Sequence, residues 1–323
     1  MAVVLGGGQF RYEAQDNWAK LPDGWALGEV AAVAVDDRDR VYVFNRGPHP
    51  MVVFDRDGGF LASWGEDLFK WPHGLHIGPD QSIYCTDEGN HVVCKCSLDG
   101  KLLLRIGTPG EPAPRMSGKP FNRCTHTALS PQGDIYVTDG YGNAAVHKYS
   151  PDGKWLMSWG APGADKGQFN LPHNIACDAD GYVYVADREN HRIQIFDGNG
   201  RYEGQWNNLH RPSAMFMTAG PCPLCLVGEL APYLPVNRET PNLGPRITIL
   251  QNGEMVGRLN STGGPGTGTG QFTSPHGIAM DSHGDLYIGE VTLSSWPSLF
   301  PGTPKPTHLN SLRKLRRLPA EAA

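Results

Sequence analysis

The chain has no run of about 18 consecutive apolar residues, so a membrane-spanning helix is not expected. It also lacks a strong charge of either sign: 28 Lys and Arg stand against 33 Asp and Glu, a formal net charge of −5, and nothing here attracts nucleic acid. The opening Met1-Ala2-Val3-Val4-Leu5 is too short, and too soon interrupted by Gly6-Gly7-Gly8, to read as a secretory signal, so a cytoplasmic location is the expectation. Cysteine is sparse: seven residues, an odd number, form no disulfide framework, and several lie in strand-like runs where a thiol serves as a small hydrophobe. Reduced thiols follow. The pair Cys222 and Cys225 has no second pair to complete a four-cysteine zinc site and reads as a loop feature.

Glycine and proline are abundant, at 41 and 27 residues, and with 39% hydrophobic residues this points to frequent turns in an ordered chain rather than to disorder. The turns punctuate a repeat. One copy runs from Pro172-His173-Asn174-Ile175 through Asp180-Gly181-Tyr182-Val183-Tyr184-Val185-Ala186-Asp187 and Asn190-His191-Arg192-Ile193-Gln194-Ile195-Phe196 to Trp206. Its short β-branched or alternating runs, bounded by Gly, Asp and Asn, predict four strands joined by tight turns. Copies begin near residues 30, 72, 124, 172, 212 and 275, a period that predicts a propeller of six blades.

The fifth blade is interrupted by Pro-Cys-Pro-Leu-Cys at 221–225 and a proline-rich stretch to Pro245, with Arg246–Leu250 read as its closing strand. The sixth, after a Ser- and Pro-rich loop, lacks a fourth strand. The segment at about 9–20, containing Phe10-Arg11-Tyr12-Glu13, is expected to supply it and close the ring, which protects sheet edges. The reading is therefore all-β, one propeller over 1–323.

Three Pro-His pairs place His73, His173 and His276 at intervals of 100 and 103 residues. If they occupy one position of blades two, four and six, at the start of the innermost strand, they converge on the channel axis from three sides. Three neutral imidazoles with an open fourth position are the ligand set of a catalytic zinc. The matching places are read as Ala32 in blade one and Ser213 in blade five, whereas His126 in blade three breaks the alternation and is a possible additional site residue.

These residues resemble the NHL-repeat propellers and, within them, the peptidyl-α-hydroxyglycine α-amidating lyases and their bacterial relatives. The resemblance rests on Phe44-Asn45-Arg46-Gly47, Trp71-Pro72-His73-Gly74-Leu75, Thr138-Asp139-Gly140-Tyr141-Gly142-Asn143, Pro172-His173 with Ala186-Asp187-Arg188-Glu189-Asn190, and Ser274-Pro275-His276. It implies an NHL-type propeller with zinc, or another divalent metal, on His73, His173 and His276. It implies Tyr141 as the base, with Arg46 and Arg188 flanking the site. The implied reaction is collapse of a carbinolamide, R-CO-NH-CH(OH)-COOH, to an amide and glyoxylate.

Each role has a physical basis. A metal ion eases loss of the hydroxyl proton, cations beside a tyrosine favour its phenolate, and the guanidinium fork suits a carboxylate. The expected partner is thus a small anionic molecule, with neither nucleic acid nor membrane involved.

The chain departs from the family at several places. The family's structural calcium uses two backbone carbonyls, here Val33 and Leu75, and an aspartate where this chain has Gly277, which speaks against calcium. The paired cysteines of the secreted animal enzymes are replaced by Gly142 and Ile195, and His126 stands where the amidating enzymes have Asp.

Two alternatives remain. A metal-dependent hydrolase or hydratase would recruit a carboxylate base, with Asp139 and Glu290 as candidates. A non-catalytic NHL interaction scaffold would use a surface such as the basic cluster Arg313, Lys314, Arg316 and Arg317, which otherwise reads as an outer strand with solvated side chains.

Overall fold

Each blade's hairpins are set by short polar turns between apolar runs. At Asp178-Ala179-Asp180-Gly181 the Asp178 carboxylate accepts the backbone N–H groups of Asp180 and Tyr182, and Gly181 takes φ +87°, where a side chain would be strained. The computed structural model describes residues 2–220, 222–307 and 309–321. Its strands form six antiparallel sheets that follow one another around a central channel.

The innermost strands are Val30–Val35, Pro72–Ile77, Cys124–Leu129, Pro172–Cys177, Pro212–Met217 and Pro275–Met280. In blades one to five the chain moves outward through three more strands. Blade five therefore differs from expectation: Arg246–Gln251 is its third strand, and Glu254–Asn260 forms the outer edge.

Blade six closes the ring with the N-terminus. Phe10–Gln15 pairs antiparallel with Leu312–Arg317, Tyr12 opposite Arg317 and Gln15 opposite Lys314. Val4–Gly7 adds a fifth strand outside it. The reading of the basic cluster as an outer strand is corrected accordingly: it lies on the third strand, with Arg313 and Lys314 buried and Arg316 and Arg317 exposed. Arg313 pairs with Glu290 at 3.0 Å, Lys314 with Asp285 at 3.3 Å, and Arg316 with Glu13. The Ser- and Pro-rich loop of blade six is also more ordered than its composition suggests, forming a helix at Thr292–Leu299 whose Trp296 is buried.

The core lies between adjacent blades. Phe10 and Tyr12 of the closing strand pack with Ile247, Leu259, Ile288 and Leu315 from blades five and six. Full burial of such a side chain contributes roughly 1.5–3 kcal/mol, so the closing strand is anchored by packing as well as by backbone pairing. Among the described residues no helix is long and apolar enough to cross a membrane.

One irregularity is repeated in every blade. The ladder between the first and second strands slips between Pro72 and Gly74, and likewise at Val30/Ala32, Cys124/His126, Pro172/Asn174, Pro212/Ala214 and Pro275/Gly277. The skipped residue at each slip is Ala31, His73, Thr125, His173, Ser213 or His276. A β-bulge re-aims the side chain it carries, and here it aims three imidazoles at the axis.

Candidate metal centre

The bulge restores strict alternation around the ring: Ala31, His73, Thr125, His173, Ser213, His276. The blade-one counterpart is Ala31 rather than Ala32, and the blade-three counterpart is Thr125 rather than His126.

Each histidine reaches into the next blade. Nδ1 of His73 lies 2.7 Å from the Thr125 carbonyl, that of His173 is 2.7 Å from the Ser213 carbonyl, and that of His276 is 2.6 Å from the Ala31 carbonyl. A carbonyl only accepts, so each Nδ1 carries the proton and each Nε2 keeps its lone pair. The ligand atoms of the three residues lie within 4.8 Å of one another, and all three are buried. Burial, then His276 and Arg46, holds His73 well below the ordinary histidine range; burial and Arg188 do the same to His173; burial and Arg46 push His276 down to about 3. The neutral form at physiological pH is the metal-binding form, so the donor set fits a divalent ion.

The Tyr141 hydroxyl stands over this cluster, 3.2 Å from Nε2 of both His73 and His173. Two guanidinium groups lie over its ring, Arg123 at 4.8 Å and Arg188 at 5.6 Å from the centroid. Arg188 Nη1 is 3.4 Å from the phenol oxygen. The Tyr141 loop is strapped to the preceding segment: Gly142 donates to the Asn122 carbonyl, Met116 donates to the Gly142 carbonyl, and Asn143 Nδ2 bonds the Lys119 carbonyl. A Cβ at 142 would fall 2.0 Å from Asn122 Oδ1, so this strap leaves space only for glycine.

Arg46 is fixed by Glu29 at 3.0 Å and by the Pro72 carbonyl at 3.1 Å, and lies over the Trp71 ring. Glu189 pairs with Arg188 at 2.7 Å and Arg211 at 2.9 Å; burial alone would raise its carboxyl, but the two arginines outweigh that and hold it at about 2. Glu88 pairs with Arg123. The residues enclose an open cavity of about 830 Å³ that reaches His276, Tyr141, Arg46 and Arg188, with the Thr292–Leu299 helix on one side.

His126 lies outside the converging group. Its Nδ1 is 2.9 Å from the Thr127 carbonyl, and with His76 it lines a second cavity, of about 250 Å³, toward the other end of the channel. Asp139 and Glu290 are engaged in the fold. Each accepts the backbone N–H groups that enter the first strand of its blade, at Asn122 and at Thr273 and Ser274 respectively. Near Gly277, a Cβ would meet the Ala32 Cα at 2.6 Å.

Sequence reasoning missed Glu29, Glu88, Arg123 and Arg211. The available signal was positional: Arg123 and Arg211 immediately precede the first strand of their blades, as Arg46 and Arg188 immediately follow the second strand of theirs. All seven cysteines are free thiols.

Residues 169–196 match the NHL repeat family model. The chain is 36% identical over 210 residues to NHL repeat-containing protein 3 of Homo sapiens, covering 61% of this chain and 60% of that protein. It is 28% identical over 309 residues to peptidyl-alpha-hydroxyglycine alpha-amidating lyase 1 of Drosophila melanogaster, covering 82% of this chain and 56% of that protein. It thus spans less than two thirds of either relative. A crystal structure of virginiamycin B lyase from Staphylococcus aureus superposes with a TM-score of 0.59 at 15% identity, over 95% of this chain and all of that one, a likeness of fold. The chain is a six-bladed β-propeller that carries an NHL repeat at residues 169–196 and is similar in sequence to a peptidyl-α-hydroxyglycine α-amidating lyase.

Proposed function

We propose that this protein is a metal-dependent carbon–nitrogen lyase that cleaves an α-hydroxyglycine-type carbinolamide to an amide and glyoxylate. The observation that carries the reading is the Tyr141 oxygen 3.2 Å from Nε2 of two histidines whose Nδ1 atoms are pinned to backbone carbonyls. The relationship to a lyase of the same class supports it. His73, His173 and His276 would hold the ion, zinc by the preference of an all-imidazole set, and a bound ion there supplies Lewis acidity to the substrate hydroxyl.

The chain's own groups do the rest. Tyr141, flanked by the Arg123 and Arg188 guanidinium groups, is the general base that takes the hydroxyl proton. The O–H electron pair becomes the new C=O bond of glyoxylate, and the C–N bond breaks with its pair passing to nitrogen. Tyr141 returns the proton to the amide nitrogen, so no water is consumed. Arg46 and Arg188 orient the substrate carboxylate; among the described residues Nη2 of Arg188 has no protein acceptor and is free to do so.

A hydrolase or hydratase would need a carboxylate base, and Asp139 and Glu290 are already committed to backbone and side-chain partners. Metal-loaded protein incubated with short N-acyl-α-hydroxyglycines should release glyoxylate, and chelated protein should not. Lactone hydrolysis or alkene hydration in place of glyoxylate would move the assignment to that second class. Absence of any turnover with metal bound would favour a scaffold.

A further inference from the structure

The large cavity is more cationic than a single substrate carboxylate requires. Five cations line it, Arg46, Lys70, Arg123, Arg188 and Arg211, against one lining carboxylate, Glu88. Glu29 and Glu189 stand behind Arg46 and Arg188. Even when these are counted, five positive charges face three negative ones. The hydroxyglycine carboxylate answers one of the two left over.

The remaining donors gather at one place. Lys70, His91 and Arg123 line the cavity wall where blades two and three meet. The backbone N–H of Arg123 donates to His91 Nδ1 at 3.0 Å, which places the ring proton on Nε2 and makes that atom a donor. Arg123 spends Nε and Nη2 on Glu88, while its Nη1, like Lys70 Nζ and His91 Nε2, has no acceptor among the described residues. Burial, reinforced by Arg123 and Lys70 and opposed by Asp139, lowers the His91 titration, consistent with the three groups sharing one field.

We propose that Lys70, His91 and Arg123 form a second anion subsite, so that the preferred substrate is a carbinolamide whose acyl portion carries a further carboxylate. This rests on the lyase reading for the identity of the substrate, but not for the subsite itself. Arg46 and Arg188 receive the hydroxyglycine end beside the histidines, and the acyl end extends along the cavity to the blade-two edge. A neutral acyl group would leave three donors to be satisfied by water alone.

Calorimetric titration of the metal-loaded protein with two unreactive glycine conjugates tests this: N-succinylglycine and its neutral succinamoyl counterpart. N-succinylglycine should bind at least about tenfold tighter, with the advantage shrinking in high salt and collapsing in Lys70→Gln, an exposed residue outside the buried histidine cluster. Equal affinity for the two ligands, no binding of either, or a preference retained in both Lys70→Gln and Arg123→Gln would overturn the subsite. Turnover of the corresponding α-hydroxyglycines is measured in parallel. A charge-dependent binding preference without glyoxylate release would overturn the lyase reading alone and leave the subsite standing.

Discussion

The Nδ1 atom of His276 lies 2.6 Å from the carbonyl oxygen of Ala31, joining the last blade to the first. One bond thus ties together ring closure and ligand orientation, because the carbonyl that fixes the imidazole belongs to the strand across the seam. The other two histidines make the same bond to the blades that follow them. Each ring orientation is therefore fixed by a backbone carbonyl of the next blade, which leaves the three Nε2 atoms free of that bond, as a metal-ligating set requires.

Replacing any one of His73, His173 or His276 with Ala should strip the metal while leaving the propeller folded, since the core lies between blades and not at the axis. Elemental analysis and far-ultraviolet circular dichroism on the same samples check both halves. Full metal occupancy in any of the three variants would remove that histidine from the ligand set.

Tyr141→Phe keeps the ring and its contacts with Arg123 and Arg188 but removes the oxygen that faces the histidines. Metal content should be unchanged, and turnover of a carbinolamide should fall by roughly 100-fold or more, as expected for loss of a general base. Turnover equal to the parent protein would take Tyr141 out of the mechanism.

The blade repeat, the ring-closing strand and the three axial histidines were legible because each leaves a periodic trace: short alternating runs, a missing fourth strand, equal spacing. The bulge was not. It inserts one residue without any marker in composition, and blades one and three begin with Val30 and Cys124 in place of the proline that anchors the position in the other four, so His126 and Ala32 were read where Thr125 and Ala31 stand. Glu29, Glu88 and Arg211 were hidden for another reason. Rim positions meet across blades in space, and no local pattern records which arginine faces which glutamate. The Thr292–Leu299 helix, with Pro297 inside it, runs against the propensity of its sequence and is held by tertiary contacts, including Ser294 to Glu29.

His76 and His126 add a pH dependence to that of the three clustered histidines. Burial, aided by the neighbouring His126, pushes His76 down to about 4, and burial lowers His126 to about 4 against the pull of the Thr127 carbonyl. In the unfolded chain both titrate at the ordinary histidine value of about 6.5. Between pH 6.5 and 4 the unfolded state binds more protons, so stability is full above that window and falls as the pH drops through it. Urea unfolding of the parent and of His126→Gln across this range should show a shallower slope for the variant. A slope that does not change would mean His126 is protonated in the folded protein.

Arg46→Ala removes a guanidinium held rigid by Glu29 and the Pro72 carbonyl. The expected outcome is a raised KM for substrates bearing the hydroxyglycine carboxylate, by about tenfold or more, with much less effect on carboxamide analogues. Equal losses on both would reassign Arg46 to holding Trp71 and the cavity wall, over which its guanidinium lies at 4.8 Å.

Gly277→Asp tests whether the calcium-binding aspartate that the resemblance to the amidating lyases implies at this place can be introduced. The residue follows the bulge histidine His276, and a Cβ there would meet the Ala32 Cα at 2.6 Å and the Val33 nitrogen at 3.0 Å. Both contacts are backbone on the neighbouring blade, so relief requires the first strands of blades six and one to separate, at the seam that His276 and Ala31 hold together. Such overpacking costs about 1–3 kcal/mol, and the added carboxylate would also be taken from water without a cation to meet it. The variant should melt below the parent in the presence of a chelator. If added calcium restores its melting temperature, the channel has kept the Val33 and Leu75 carbonyls in a geometry that can still coordinate. If calcium has no effect, this propeller closes by direct strand packing where an ion would otherwise bridge the blades.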